Sequence, residues 1–279
     1  MRHTPITVRK FSGELDQFDA DKLLKSLSEA GATPSQADKI TATIGKGLYD
    51  GITTREIYQK AHRLLKNRAK EKASRYGLKK ALLQLGPTGY PFELFIGELM
   101  RKEGYEVEVG ITMPGKCVSH EVDVLAFTQH EVHMMECKFH NRHGYKTDVK
   151  VPMYIKSRFE DLAAQWKRNT KYQNKKHEGW VVTNARFTKD AMDFGKCAGL
   201  KLLSWDYPSD SLKKLNTKHN LYPITTIHTI SKSIREQLFD KNIVLASSLV
   251  ENEAVLLELG LDKPRANQII EEAKRICGL

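Results

Sequence analysis

The segment His120-Glu-Val-Asp-Val-Leu-Ala-Phe-Thr-Gln-His-Glu-Val-His-Met-Met-Glu-Cys-Lys138 places acids and a lysine at spacings that suit phosphoryl chemistry. If Gln129-His130 is a two-residue hairpin turn, facing positions sum to 259. Asp123 then stands opposite Glu136, and Glu121 opposite Lys138. Directly paired Cβ atoms lie about 4.5–5.5 Å apart, and residues two apart share a face of a strand. Two carboxylates that close repel unless a cation joins them, and hard oxygen donors suit magnesium or manganese. Asp123 and Glu136 are therefore the candidate metal ligands. Such an ion polarises a scissile phosphate and lowers the pKa of its bound water, while Lys138 positions that water or neutralises developing charge. An ordinary hairpin with a surface salt bridge also explains the charges. It does not explain their neighbours, because Val122, Val124, Leu125 and Ala126 facing Val132, Met134 and Met135 make a buried hairpin, where unpaired carboxylates are expensive.

The elements around this hairpin read as α/β alternation. A helix from Pro91 to Gly104 precedes strands near 105–111, 119–128 and 131–139. A loop through 140–153, a helix from about Lys156 to Lys175, a strand at Gly179 to Thr183, a helix at 188–198 and a strand at 200–205 follow. Upstream, Ile6 to Phe11 and Leu15 to Phe18 form a β-hairpin turning at Ser12-Gly13. Asp19 caps a helix to about Ala30, Ser35 starts another to about Leu48, and Thr53 with Glu56 forms a capping box. That third helix continues to about Leu85 with a break at Gly77. Gly86-Pro-Thr-Gly-Tyr-Pro91 marks an interdomain boundary. From about Ile227 the pattern is helical.

With Phe92-Glu93 on the preceding helix, Gly104-Tyr105-Glu-Val, Trp180-Val-Val-Thr183-Asn-Ala-Arg-Phe-Thr-Lys-Asp-Ala191 and Leu200-Lys-Leu-Leu-Ser-Trp-Asp206, the segment from Gly86 to Pro208 resembles the Mrr-like branch of the PD-(D/E)XK nucleases. The resemblance implies a restriction-endonuclease-like mixed sheet flanked by helices. It makes Glu93, Asp123 and Glu136 the metal site for Mg2+ or Mn2+, and adds Lys138 as the catalytic lysine. It also implies DNA as partner. Homo-oligomeric assembly is a separate expectation. Val122 stands where the family carries a proline. Gln165, His140, His143 and Glu121 are secondary candidates, each with an ordinary loop, surface or ion-pair reading.

Val8-Arg-Lys-Phe-Ser-Gly-Glu-Leu-Asp-Gln-Phe-Asp-Ala-Asp-Lys22, with the short helices up to Leu82, is similar to the ATP-cone domain. By position, Val8, Lys10, Asp16, Asp19 and Lys22 match its nucleotide-contacting pattern, so ATP or dATP is the implied effector; the alternative is a degenerate cone retained as a DNA-binding or dimerising module. Phe11 replaces an arginine usual in that family. Near the end, Leu259-Gly-Leu-Asp-Lys-Pro-Arg-Ala-Asn-Gln-Ile-Ile270 is similar to the second half of a helix-hairpin-helix, although Asp262 would cap the second helix and compete with phosphate. The expected division is 1–85 cone-like, 86–210 nuclease and 211–279 a helical module.

Composition agrees with a polyanionic partner. Of a net charge of +11, the stretch Lys60 to Lys80 carries +8 and Arg142 to Glu178 carries +6. Concentrated positive charge favours phosphate contacts through counterion release, and Lys167, Arg168 and Lys171 are the candidate DNA contacts. Four scattered cysteines without a C-x-x-C pair argue against a zinc framework. No stretch approaches the ~18 apolar residues of a membrane span, and the start has no signal-peptide core, so a cytoplasmic location is expected. The combined expectation is a metal-dependent DNA endonuclease regulated by adenine nucleotide. The alternatives are a non-catalytic, nucleotide-responsive DNA-binding regulator and a structure-selective nuclease of junctions or flaps.

Overall fold

The computed structural model describes residues 6–10, 13–66, 70–142 and 144–279. Phe11 and His143 lie outside them. In the N-terminal part β1 (Thr7–Arg9) pairs antiparallel with β2 (Leu15–Gln17), Thr7 facing Gln17. Asp19 caps α1 (Ala20–Glu29), accepting from the backbone N–H groups of Asp21 and Lys22. The cap of α2 (Pro34–Gly45) is Thr33 rather than Ser35: Thr33 and Gln36 satisfy each other's backbone donors, and Pro34 occupies the first helical position, where no N–H is needed. A two-residue β3 (Ile52–Thr53), too short to show a sequence period, runs parallel to β1. Thr53 doubles as the cap of α3 (Thr54–Lys66), accepting the Glu56 N–H as expected, while the Glu56 carboxylate accepts the Thr53 hydroxyl rather than the backbone N–H of a full capping box. Then α4 (Lys70–Tyr76) and α5 (Leu78–Leu82) break at Gly77. Leu27, Ile40, Ile44, Ile52 and Leu65 form the core of this part.

The middle part is a mixed sheet between helical layers. After α6 (Tyr90–Lys102) come β4 (Glu106–Pro114), β5 (Ser119–Phe127), β6 (Glu131–Lys138), a short β7 (Lys146–Thr147) and α7 (Lys150–Trp166). Next are β8 (Lys176–Thr183), a short β9 (Arg186–Phe187) paired with β7, α8 (Lys189–Cys197) and β10 (Lys201–Leu203). The five-stranded order is β10-β8-β6-β5-β4, antiparallel from β4 to β6 and parallel from β6 to β10. The expected loop over 140–153 is wrong at its end, because α7 starts at Lys150; Pro152 falls in its first turn, where proline is tolerated. The same helix ends at Trp166 rather than Lys175.

One face of the sheet carries α7 and α8 on Leu125, Val132, Met134 and Val181. The other carries α6 and the C-terminal helices. Those are α9 (Leu212–Lys218), α10 (Lys232–Asp240), α11 (Ala246–Glu251), α12 (Ala254–Glu258) and α13 (Lys263–Cys277). They share one hydrophobic cluster with α5, α6 and the sheet: Leu82, Phe95, Met135, Leu238, Leu249 and Ile269 all belong to it. Asp262 caps α13 through the Arg265 N–H, so that helix N-terminus already holds a carboxylate. No helix among the described residues is long and apolar enough to cross a membrane.

Candidate active site

The site grows from the β5–β6 turn. Thr128 accepts the His130 and Glu131 N–H groups on its side chain, and its own N–H donates to the Glu131 carbonyl, closing a two-residue turn at Gln129-His130. The register follows from that length. Phe127 faces Val132 and Val124 faces Met135, so positions sum to 259 as the sequence implies. The regular ladder stops just before Asp123. There Oδ2 of Asp123 accepts the Cys137 N–H at 2.7 Å, a side chain replacing a backbone partner. On the other flank Gly110 stands across from Asp123, between the pairs Val109–Val124 and Ile111–Val122. Its φ of 65° is one that side chains disfavour, and it distorts β4 where β5 is distorted.

Around this irregular end the structure gathers the four expected residues. Glu136 is 4% exposed. Its Oε1 pairs with the Lys138 ammonium, and its Oε2 with Arg158 Nη1 at 2.5 Å. Burial and the nearby Glu136 push Asp123 up to about 6, against the pull of the Cys137 N–H, Lys138 and Arg158. Glu93, in the first turn of α6, is pushed up to about 7 by burial, then by Asp123, Glu121 and Glu136. Negative charge is thus in excess, which a divalent cation relieves, and the all-oxygen donor set fits Mg2+ or Mn2+. A carboxylate has about four acceptor positions, so Glu136 keeps lone pairs free for an ion while holding both cations.

Arg158 is the residue that sequence reasoning missed. It lies on α7, its second guanidinium nitrogen donates to the Glu121 carbonyl, and only 12% of its side chain is exposed. The signal was present in the pattern, since Arg158 falls between Ile155 and Leu162 on the buried stripe of the helix. Lys138 is held from behind: Thr183 donates to its carbonyl at 2.7 Å, and the Asn184 side chain exchanges two hydrogen bonds with the backbone of His140. The His140 ring stacks on Tyr145 and is pushed down by burial and by Lys138. Glu121 is exposed and adds its charge beside Glu93. Gln165 lies two helical turns beyond Arg158 on α7.

Other candidates sit elsewhere. Lys167, Arg168 and Lys171 are exposed beyond the C-terminus of α7. Lys171 lies 4.6 Å from the Phe127 ring and 3.6 Å from Glu108, at the turn end of the sheet. Phe127 is four residues from Asp123, or about 13 Å at the rise of a strand. Val8, Lys10, Asp16, Asp19 and Lys22 line one cavity of about 740 Å³. Its far wall belongs to the sheet domain and includes Arg142, Lys146 and Arg186. Lys10 is paired with Glu14 at 3.2 Å and with Asp16 at 3.0 Å, and Lys22 with Asp19 at 3.6 Å.

Comparison with known proteins agrees with this architecture. Residues 86–207 match the family model for the Mrr-type restriction endonuclease domain. Residues 222–277 match the model described as AF1548-like, C-terminal. An uncharacterized protein of Archaeoglobus fulgidus is 33% identical over 188 residues, which cover 66% of this chain and all of that protein. A crystal structure titled as the protein of unknown function AF1548 superposes with a TM-score of 0.58 at 31% identity, covering 68% of this chain and 99% of that one. The chain belongs to the family of that archaeal protein: a restriction endonuclease domain followed by an AF1548-like C-terminal domain.

Proposed function

We propose that the chain is a Mg2+- or Mn2+-dependent endonuclease that hydrolyses phosphodiester bonds in DNA. The observation that carries the reading is the convergence of Glu93, Asp123 and Glu136 at the distorted end of the hairpin, with Lys138 and Arg158 on the same carboxylate. Asp123 and Glu136, completed by Glu93, would hold the ion. When bound, it supplies charge stabilisation of the phosphoryl oxygens and a water acidic enough to attack. Lys138 presents its ammonium beside that carboxylate, positioned to orient the water and offset charge that develops on the phosphate. Arg158 orients Glu136. Thr183 and Asn184 hold the backbone that carries Lys138.

The deciding experiment is cleavage of plasmid DNA with Mg2+ or Mn2+, against Asp123→Ala. Nicking that vanishes in the variant supports the reading. Tight DNA binding without cleavage across metals and substrates would instead mark a DNA-binding regulator that retains the fold. Cleavage confined to branched substrates would define a junction or flap nuclease.

The cavity favours an added role for nucleotide. Its cone-side cations are ion-paired, whereas Arg142 and Lys146 approach from the segment that follows Lys138. An ATP or dATP bound there would contact the nuclease directly, and it would regulate cleavage only through different affinities for the active and inactive states. Calorimetric titration with both nucleotides, paired with sizing and cleavage assays, tests this on wild type and Lys10→Ala/Lys22→Ala. Absence of heat at millimolar nucleotide retires the effector and leaves a structural module.

A further inference from the structure

At the opposite end of β6 from Glu136 and Lys138, three side chains converge that neither the nuclease reading nor the nucleotide reading uses. Glu131 and His133 are two apart on β6 and so share a face, while Glu178 on β8 is the register partner of His133. His133 Nε2 lies 3.2 Å from Glu131 Oε2 and 3.5 Å from Glu178 Oε2. One donor atom from each residue falls within 4.8 Å of the others. Ligands set tetrahedrally around an ion at bonds of about 2.0–2.2 Å are themselves about 3.2–3.6 Å apart. Two of the three spacings are those of a shared ion.

The surroundings point the same way. The other oxygen of each carboxylate is already tied: Tyr105 donates to Glu131 Oε1 at 2.6 Å, and Lys176 pairs with Glu178 Oε1 at 2.6 Å. That leaves both Oε2 atoms turned on His133. The imidazole is 2% exposed; Nε2 meets only the two carboxylate oxygens, at 3.2 and 3.5 Å, and Nδ1 has no hydrogen-bond partner. Tyr105 at 4.9 Å and Trp180 at 5.5 Å flank the ring and fix its plane. The Tyr105 hydroxyl and Lys176, which hold the two carboxylates, are partners of the kind that orient metal ligands.

We propose that Glu131, His133 and Glu178 bind a divalent first-row transition ion, with Zn2+ as the best-matched probe, in a site separate from the candidate active site. An imidazole among two carboxylates selects such an ion over Mg2+. The 29% exposure of the Glu131 side chain leaves room for water to complete the coordination. The ion would clip β6 to β8 and, through Tyr105, to the start of β4.

The test is equilibrium dialysis of the full chain, stripped with chelator, against Zn2+ in excess Mg2+. The parent is Asp123→Asn, which removes a ligand of the other site. The expected result is one zinc equivalent that is lost in both His133→Gln and Glu178→Gln, and a Zn2+-dependent rise in Tm that disappears with it. Tyr105→Phe should weaken zinc binding about 10–100-fold. Should His133→Gln fail to fold, Glu178→Gln decides. No zinc bound by the parent, or the same equivalents in parent and variants, overturns the proposal and leaves His133 as a structural contact between two carboxylates.

Discussion

Glu136 is held between two cations, and the consequences of removing them differ. Arg158 reaches it from α7 and also fixes the Glu121 carbonyl, so Arg158→Ala leaves one oxygen of a buried carboxylate without its partner, at about 1–3 kcal/mol. Cleavage should fall about 10²-fold, the scale of losing a preorganised electrostatic group, while the salt dependence of DNA binding stays unchanged. Arg158→Lys should recover only part of the activity, because an ammonium lacks the fork that spans both acceptors. Full activity in Arg158→Ala, measured alongside a melting curve, would remove the residue from the site. Lys138→Ala should abolish cleavage and leave the fold, since its side chain is 37% exposed. The Asp123, Glu136 and Lys138 cluster was legible because turn length sets register and strand period sets face. Arg158 was not, because an arginine within a cationic stretch does not name its partner, even where it falls on the buried stripe of its helix.

At the scale of elements, the site depends on how closely α7 rides on the sheet. A methyl group added to Gly179 of β8 would sit 2.7 Å from Phe159 and 2.8 Å from Leu200, closer than atoms pack. Gly179→Ala should therefore push α7 outward, costing about 1–3 kcal/mol, and draw Arg158, one residue before Phe159, away from Glu136. Reduced cleavage with a lowered Tm is the expected outcome; unchanged cleavage would show that α7 tolerates the shift. The same helix leads to Lys167, Arg168 and Lys171. Lys171 sits on Phe127, which is about 13 Å from Asp123 along the strand, about four base pairs of a duplex seated at the site. Replacing all three with alanine should weaken binding to every sequence and lower the salt slope by up to about 0.9 per lost phosphate contact. A constant slope would confine DNA to the Lys138 end. The central strands were readable as short apolar runs, since β5 and β6 are buried on both faces over most of their length, whereas the β1–β3 pairing was not, because two residues carry no period.

On the scale of the molecule, the C-terminal helices do not stand apart, and the hydrophobic cluster they share with α6 and the sheet makes their anchoring a condition of the whole fold. Sequence periodicity showed that this region is helical, yet it gave no sign of the shared core, because an apolar stripe does not name the surface it covers. Glu272 on α13 is one anchor. Its carboxylate accepts the N–H groups of His228 at 2.9 Å and Thr229 at 3.0 Å, fastening the segment that enters α10. Burial alone would raise its pKa, but these bonds and the His228 side chain outweigh burial and hold it at about 2. A carboxyl that is more acidic when folded stabilises the protein above its unfolded pKa of about 4.3. That contribution drains away as pH falls from there towards 2. Only 14% of the side chain is exposed, so the full effect at neutral pH is on the order of 2 kcal/mol. Denaturant melts of wild type and Glu272→Gln should therefore differ by that amount at pH 7, converge as pH drops below about 4, and coincide near pH 2. Two parallel curves across that range would mean that Glu272 titrates alike in both states and that its hydrogen bonds to 228–229 contribute nothing through charge.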